Sequence, residues 1–133
     1  AIPRYINLQR DARIAVLDAT AASLRSASVM TFARATLSGT AGAAAGVTTI
    51  EAGPPAVTVA TNFGHPQATA AALGVVLDPL STRIAYIGGA AAAGGSINLR
   101  LDGIATCQVI YTTPTTVGAN AVITNNPANS AGC

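Results

Sequence analysis

The sequence predicts an α+β fold, in which one long amphipathic helix packs on an antiparallel sheet. Residues 3–38 contain no Gly, and no Pro after Pro3, and their apolar side chains recur with a helical period. Residues 39–82 are broken repeatedly by Gly and Pro, and residues 83–124 form short β-branched segments. Because 133 residues suffice for one core, we expect a single domain. Its parts are the helix (1–38), a connecting loop with short strands and a short helix (39–82), and a sheet with a closed tail (83–133).

The predicted helix has one apolar stripe. Pro3 suits a helix start, since its fixed φ is helical and its missing N–H would have no partner there. At 100° per residue, the larger apolar side chains gather on one face, which is typical of a helix buried against the rest of its domain. We predict that five residues of this face form the core between helix and sheet: Ile14, Leu17, Ala21, Leu24 and Phe32.

The opposite side of the predicted helix carries small side chains instead of charges. Such a helix is either covered on both sides within its own domain or offers one side to other subunits. A helix of about 50 Å, at ~1.5 Å per residue, needs a partner along its length. We therefore predict that four of these residues pack against neighbouring subunits: Ala15, Ala19, Ala22 and Ser26.

The middle of the chain gives weaker signals. The segments 47–50 and 56–60 are β-branched and predict short strands or extended loop. A turn at 62–66 precedes an Ala-rich helix at 67–77, which Asp78 and Pro79 should end. His65, the single histidine, has no carboxylate near it in sequence, so we interpret it as a local hydrogen-bonding residue rather than a catalyst.

Four strands are predicted in the last third of the chain, at 83–88, 96–101, 105–112 and 116–124. Ile97, Leu99 and Leu101 alternate with polar residues, which predicts one buried and one solvated face. Asp102 and Gly103 form a hairpin turn signal. The Gly- and Ala-rich stretch 88–95 predicts a mobile hairpin tip.

Cys107 and Cys133 are the only two cysteines. Without a C-x-x-C spacing or a nearby His, they do not indicate a zinc or redox site. A disulfide between them would hold the polar tail 125–132 and contribute roughly 3.5 kcal/mol in the chain-entropy model. We predict this disulfide, and with it an oxidising compartment; two free buried thiols are the alternative.

Composition argues against several classes of function. A net charge of +2 and five Phe and Tyr residues in all do not indicate a nucleic-acid surface. Arg4, Arg10 and Arg13 are interpreted as forming local pairs with Asp11 and Asp18.

No catalytic spacing, cofactor motif or metal-ligand cluster is recognisable, so we expect no enzyme, cofactor or metal. A small secreted hydrolase or sugar-binding module remains an unsupported alternative. No apolar run reaches the ~18 residues that span a bilayer.

The start of the chain resembles type IV pilins, particularly the mannose-sensitive haemagglutinin type. The resemblance lies in residues 1–13 (AIPRYINLQRDAR) and 22–28 (ASLRSAS), recurs at the Gly64-His65-Pro66 turn, and returns at 106–112 (TCQVIYT) and the final Gly132-Cys133. It implies a pilin head, a long helix on an antiparallel sheet with a C-terminal disulfide loop. The family's apolar N-terminal segment is not in this sequence.

The resemblance implies a structural subunit of a type IV pilus fibre, serving surface attachment and possible roles in motility or aggregation. Its partners would be identical or related pilin subunits in a helical filament on the outside of a bacterial cell. Membrane anchoring, in the inner membrane before assembly, would come only through the missing segment. A pseudopilin of a type II secretion system shares the architecture. Pseudopilins commonly bind calcium through C-terminal carboxylates, and this chain has no Asp or Glu after Asp102.

Overall fold

The computed structural model describes residues 2–77, 82–126 and 133, with side chains from residue 10 onward apart from residue 126. It begins with α1 (Ile2–Ser38), a helix of 37 residues. Gly39, with φ 76°, ends α1. The Gly39 amide donates to the Thr36 carbonyl and the Thr40 amide to the Ala35 carbonyl, at 3.3 and 2.8 Å. This Schellman motif needs a left-handed residue, which explains the Gly that follows the helical pattern.

Two antiparallel sheets and a second helix follow α1 in the described part of the chain. The first sheet has the order β1-β2-β3, and the second has the order β4-β5-β6-β7. The bounds are β1 (Gly46–Glu51), β2 (Val57–Asn62), β3 (His65–Pro66), α2 (Ala70–Val76), β4 (Ile84–Gly88), β5 (Ser96–Leu101), β6 (Gln108–Thr112) and β7 (Val122–Asn126). The prediction of an α+β arrangement, a long helix packed on antiparallel strands, is confirmed.

The segments 47–50 and 56–60, predicted as short strands or extended loop, lie in β1 and β2 of the first sheet. β1 and β2 pair along their length, with an irregularity between Thr49 and Glu51. β2 and β3 join through a two-residue turn in which Phe63 and Gly64 have φ of 48° and 85°. Such turns match the twist of paired strands. Any side chain at Gly64 would meet the Phe32 ring at 2.8 Å, so this hairpin lies directly against α1.

The second sheet is an antiparallel meander. β5 has the predicted bounds and alternation, with Ile97, Leu99 and Leu101 buried. β6 and β7 begin later than predicted, at residues 108 and 122 rather than 105 and 116. Residues 102–107 make two successive turns, because the Ile104 amide donates to the Leu101 carbonyl and the Cys107 amide to the Ile104 carbonyl.

The Gly- and Ala-rich segment between β4 and β5, which the sequence predicted as a mobile hairpin tip, is hydrogen-bonded to neighbouring segments. The Ala90 amide donates to the Ala68 carbonyl at 2.8 Å, and Asn62 Nδ2 donates to the Ala91 carbonyl at 3.0 Å. Gly89 lies so close to Ala68 that a Cβ would be 2.9 Å from its carbonyl oxygen. The segment is therefore attached to the first sheet, which links the two sheets.

α2 is shorter than the predicted helix at 67–77. Thr69 caps it, and its hydroxyl accepts a hydrogen bond from the Ala72 amide. A capping hydroxyl satisfies an amide that has no partner within the helix, so helix formation begins after Thr69. The predicted stop at Asp78 and Pro79 lies outside the described residues.

One core joins α1, α2 and the second sheet. Its largest buried side chains come from one face of α1, from α2 and its end, and from β5 and β6. They include Leu17, Leu24, Leu73, Ile97, Leu99, Leu101, Val109 and Tyr111. α1 also contacts β1 and β3, so the helix lies across both sheets.

Candidate functional site

Four small side chains form an exposed stretch on α1, which we call the small-residue face. Ala15, Ala19, Ala22 and Ser26 are all exposed. Each lies on the side of the helix that turns away from both sheets, since the buried residues of α1 occupy the other side. Within the described part of the chain, nothing from the domain itself covers them.

The spacing of the small-residue face is that of a helix-packing seam. The intervals from Ala15 to Ala19, Ala22 and Ser26 are four, three and four residues, and the same alternation continues to the exposed Val29 and Ala33. A repeat of three and four keeps one stripe facing a neighbouring helix. Because the side chains are small, the backbone of a neighbour can approach closely here.

Charged side chains flank this seam. Asp18 and Arg25 are exposed, two turns of helix apart, on the same border of the small-residue face. Asp18 accepts a hydrogen bond of 2.6 Å from Asn125 Nδ2, whereas Arg25 makes no ion pair or side-chain hydrogen bond within the described residues. The border therefore offers one acid and one base to a neighbour.

The residues predicted to form the helix-to-sheet core do not all lie equally deep. Leu17, Ala21 and Leu24 are at most 2% exposed and belong to the core cluster. Ile14 and Phe32 are partly buried and lie outside that cluster. Val16, beside the outer face, also packs against the core from its edge.

The predicted disulfide between Cys107 and Cys133 is confirmed. The two Cα atoms lie 4.8 Å apart, and the bond closes a sequence separation of 26 residues. Cys107 is fully buried in the core. The bond therefore fastens residue 133 to the start of β6, next to the buried face of α1.

A charge cluster at the disulfide corrects the predicted pairing of Arg13. Arg13 Nε donates to Asp102 Oδ2 at 3.3 Å, and Arg13 Nη1 donates to the Cys133 carbonyl at 2.8 Å. Arg83 also binds Asp102, with both carboxylate oxygens engaged. The hydrogen bonds from Arg83 and then Arg13 lower the pKa of Asp102 to about 2. The sequence could not reveal this cluster, because Arg13 and Asp102 are 89 residues apart.

His65 connects the first sheet to α1. Its Nδ1 atom forms a 2.6 Å hydrogen bond with Ser28 Oγ, and its ring stacks on Phe32 with centroids 4.9 Å apart. The carbonyl of Pro66, the residue that follows His65, accepts a 2.6 Å hydrogen bond from the Tyr111 hydroxyl. The prediction of a purely local partner for His65 is wrong, since Ser28 is 37 residues away.

Burial determines the protonation states of His65 and Tyr111. Desolvation lowers the pKa of His65, and the backbone of Ala119 offsets part of that change. His65 Nε2 is buried without a well-formed hydrogen bond to the described residues. Burial raises the pKa of Tyr111 well above its ordinary value, and the Ser28 hydroxyl opposes this in part. His65 and Tyr111 are therefore neutral near pH 7, and the cluster is a structural connection between α1, β3 and β6.

The described residues offer little for catalysis or metal binding. No three His, Cys, Asp or Glu side chains among them lie together as metal ligands would. His65 is enclosed, and its bonded partner Ser28 is buried as well, so this pair presents no open site to a substrate. In the same part of the chain, no helix has the length and apolar character to cross a membrane.

Comparison of the chain with protein-family models, with curated proteins and with solved structures found no match in any of the three.

Proposed function

We propose that this chain is the head domain of a type IV pilin, a structural subunit of a pilus fibre on the bacterial cell surface. The observation that carries the proposal is the small-residue face, an exposed seam without bulky side chains on a helix of 37 residues. Such a seam fits a subunit whose helix packs beside the helices of its neighbours.

Two further features support the pilin assignment. α1 lies on antiparallel strands, and a disulfide closes the C-terminal segment against the start of β6. Both agree with the head domain that the N-terminal resemblance implies. Low charge, at 9% of residues, also suits a surface that meets other subunits. The fibre would serve surface attachment, motility or aggregation, and it would be anchored through a segment outside this sequence.

The proposal is tested by locating the chain on cells of its source. Antibodies raised against the purified 133-residue chain should label surface fibres along their whole length in immunogold electron microscopy. Deleting the gene should remove both the fibres and the label. Label confined to the cell body, or fibres that persist in the deletion strain, would contradict the proposal.

Calcium separates this proposal from a pseudopilin of a type II secretion system. Asp102, the last carboxylate in the sequence, is held by Arg13 and Arg83, so it has little capacity for a hard cation that prefers several oxygen ligands. Thermal melts in chelator and in millimolar calcium should coincide. A rise of several degrees with calcium, as a bound ion produces, would favour the pseudopilin.

A further inference from the structure

A groove beside α1 differs in character from the small-residue face. It has a volume of about 400 Å³ and lies between α1, the end of β1 and α2. Its apolar wall contains Ile50, Val75 and Leu77, and Met30 is 69% exposed at its edge. The groove is open to solvent, so another chain can reach this apolar wall.

Two charges without partners lie in this groove. Arg34 and Glu51 both line it, both are exposed, and neither makes an ion pair or a side-chain hydrogen bond within the described part of the chain. Although the groove contains both charges, they do not neutralise each other. An occupant that neutralises both charges would present an acidic and a basic group beside a narrow surface.

The border of the small-residue face has the complementary pair. Asp18 and Arg25 are separated by seven residues, about 10 Å along the helix at ~1.5 Å per residue. Asp18 would meet Arg34, and Arg25 would meet Glu51. Between them lie Ala22 and its small neighbours, which let the helix backbone come close to the groove.

We infer that the groove binds the small-residue face of a second copy of this chain. The inference rests on the proposed function and names the partner surface of that same face. The groove and the face are different surfaces, so the contact is heterologous, and each bound copy leaves one groove and one face free. Heterologous contacts that do not close into a ring produce open filaments, whereas a contact between two identical faces produces only a dimer.

The first test measures self-association of the purified chain by sedimentation equilibrium from micromolar to millimolar concentration. The wild-type average mass should rise with concentration. Val75→Arg places a charge in the groove and should weaken association by about tenfold or more. Val117→Arg is the control, since Val117 is 67% exposed in the loop before β7 and lines neither surface. A wild-type chain that stays monomeric, or a Val75→Arg chain that associates normally, would overturn the inference.

Two designs identify the pairing. Ala19→Arg blocks the face and Val75→Arg blocks the groove, so each alone should associate about tenfold or more weakly than the wild type, while a 1:1 mixture should form a dimer of wild-type affinity that grows no further. Glu51→Arg should weaken association, and adding Arg25→Glu to the same chain should restore it. A mixture that stays monomeric, or a double variant no better than Glu51→Arg, would refute the pairing. Circular dichroism melts confirm that each variant is folded.

Fibre assembly separates this inference from the proposed function. If Val75→Arg leaves fibres normal on cells while antibodies to the chain still label them, the groove contact is refuted and the pilin assignment stands. If the antibodies label no fibres in the wild type, the pilin assignment fails, and the mixing experiment still decides whether the two surfaces bind each other.

Discussion

The two faces of α1 are both poor in charge, yet they differ in what covers them. On the inner face, Leu17, Ala21 and Leu24 are at most 2% exposed and touch the core. On the outer face, Ala15, Ala19 and the residues that follow them are exposed throughout the described part of the helix. Neither apolar character nor side-chain size alone therefore shows which side of a helix belongs to its own domain, since Ala21 is buried whereas Val29 and Met30 are exposed.

Buried threonines of the inner face have hydrogen-bond partners within α1 itself. The hydroxyls of Thr20 and Thr31 donate to the carbonyls four residues before them, at 2.8 and 2.7 Å. Both residues are almost fully buried. Because their hydrogen bonds stay within α1, they can enter the core without leaving a polar group unpaired. Polar side chains on the outer face need no such partner within the protein, because water can form hydrogen bonds with its Ser and charged groups.

The largest effect on stability is expected from the inner face. Leu24→Ala should lower the free energy of unfolding by about 2 to 5 kcal/mol, because it removes a fully buried side chain and leaves a cavity. Val29→Ala is the matched change on the outer face, where Val29 is 67% exposed, and should change stability by no more than about 0.5 kcal/mol. Urea denaturation of both variants measures the contrast. Equal losses would mean that both faces are internal.

Removal of the disulfide should be nearly as costly. Cys133→Ser opens a separation of 26 residues and should lower the free energy of unfolding by about 3.5 kcal/mol. It should also release the Cys133 carbonyl from Arg13, and so loosen the inner face near Asp102 rather than the outer face. Hydrogen exchange locates this change, and the double variant Cys107→Ser/Cys133→Ser serves as a control without a free thiol. Unchanged stability and exchange would contradict the role of the bond.

A smaller, pH-dependent effect should come from His65 on the inner side. Its pKa is lowered in the fold, so the unfolded chain takes up a proton first as pH falls. Stability from this residue is therefore complete above about 6.5, the unfolded pKa, and is lost below it with a slope of at most ~1.4 kcal/mol per pH unit. Asp102 has a pKa of about 2 in the fold, so the stability that it contributes is lost only as the pH falls below about 4, the unfolded pKa of an Asp.

The measurement is urea denaturation of the wild type and of His65→Asn at pH 7, 6 and 5. The wild type should lose stability across this range, and the variant should lose less. Among the described residues, His65 contacts Ser28 and Phe32 rather than a carboxylate, so no described ionic partner should compensate. Identical pH profiles for the two proteins would show that His65 does not titrate in this way.

The smallest effect on the isolated chain, and the largest on assembly, is expected from the outer face. Ala19→Phe should change the free energy of unfolding by less than about 0.5 kcal/mol, since Ala19 is exposed. In a fibre, the added ring should clash at each contact with a cost of about 1 to 3 kcal/mol, so fibres should be short or absent by electron microscopy. Val117→Phe, in the loop before β7, is the control for surface exposure. An unfolded Ala19→Phe chain would place this face inside the domain.

Much of the fold followed from local patterns. Residues 3–38 have a helical period with no Gly and with Pro only at the first position, and Gly39 provides the left-handed residue at the end, so α1 was predicted within a residue of its observed start. The alternation of apolar and polar residues at 97–101 likewise predicted β5 and its buried side, because it is a local pattern. The first sheet was missed in part, because β1 and β2 have weak alternation and gain stability from pairing with each other and from contact with α1.

The sequence by itself determined the long helix, its two contrasting faces, the most regular strand and the pair of cysteines available to bond. The helix, its faces and the strand depend on residue types at short spacing, where propensity and periodicity act, and the disulfide depends on there being only two cysteines. Only the tertiary structure decided that Arg13 binds Asp102, that His65 bonds to Ser28, and that Arg34 and Glu51 share a groove beside α2. These partners are far apart in the chain, and their proximity is set by how the helix lies across two sheets, which no local pattern specifies.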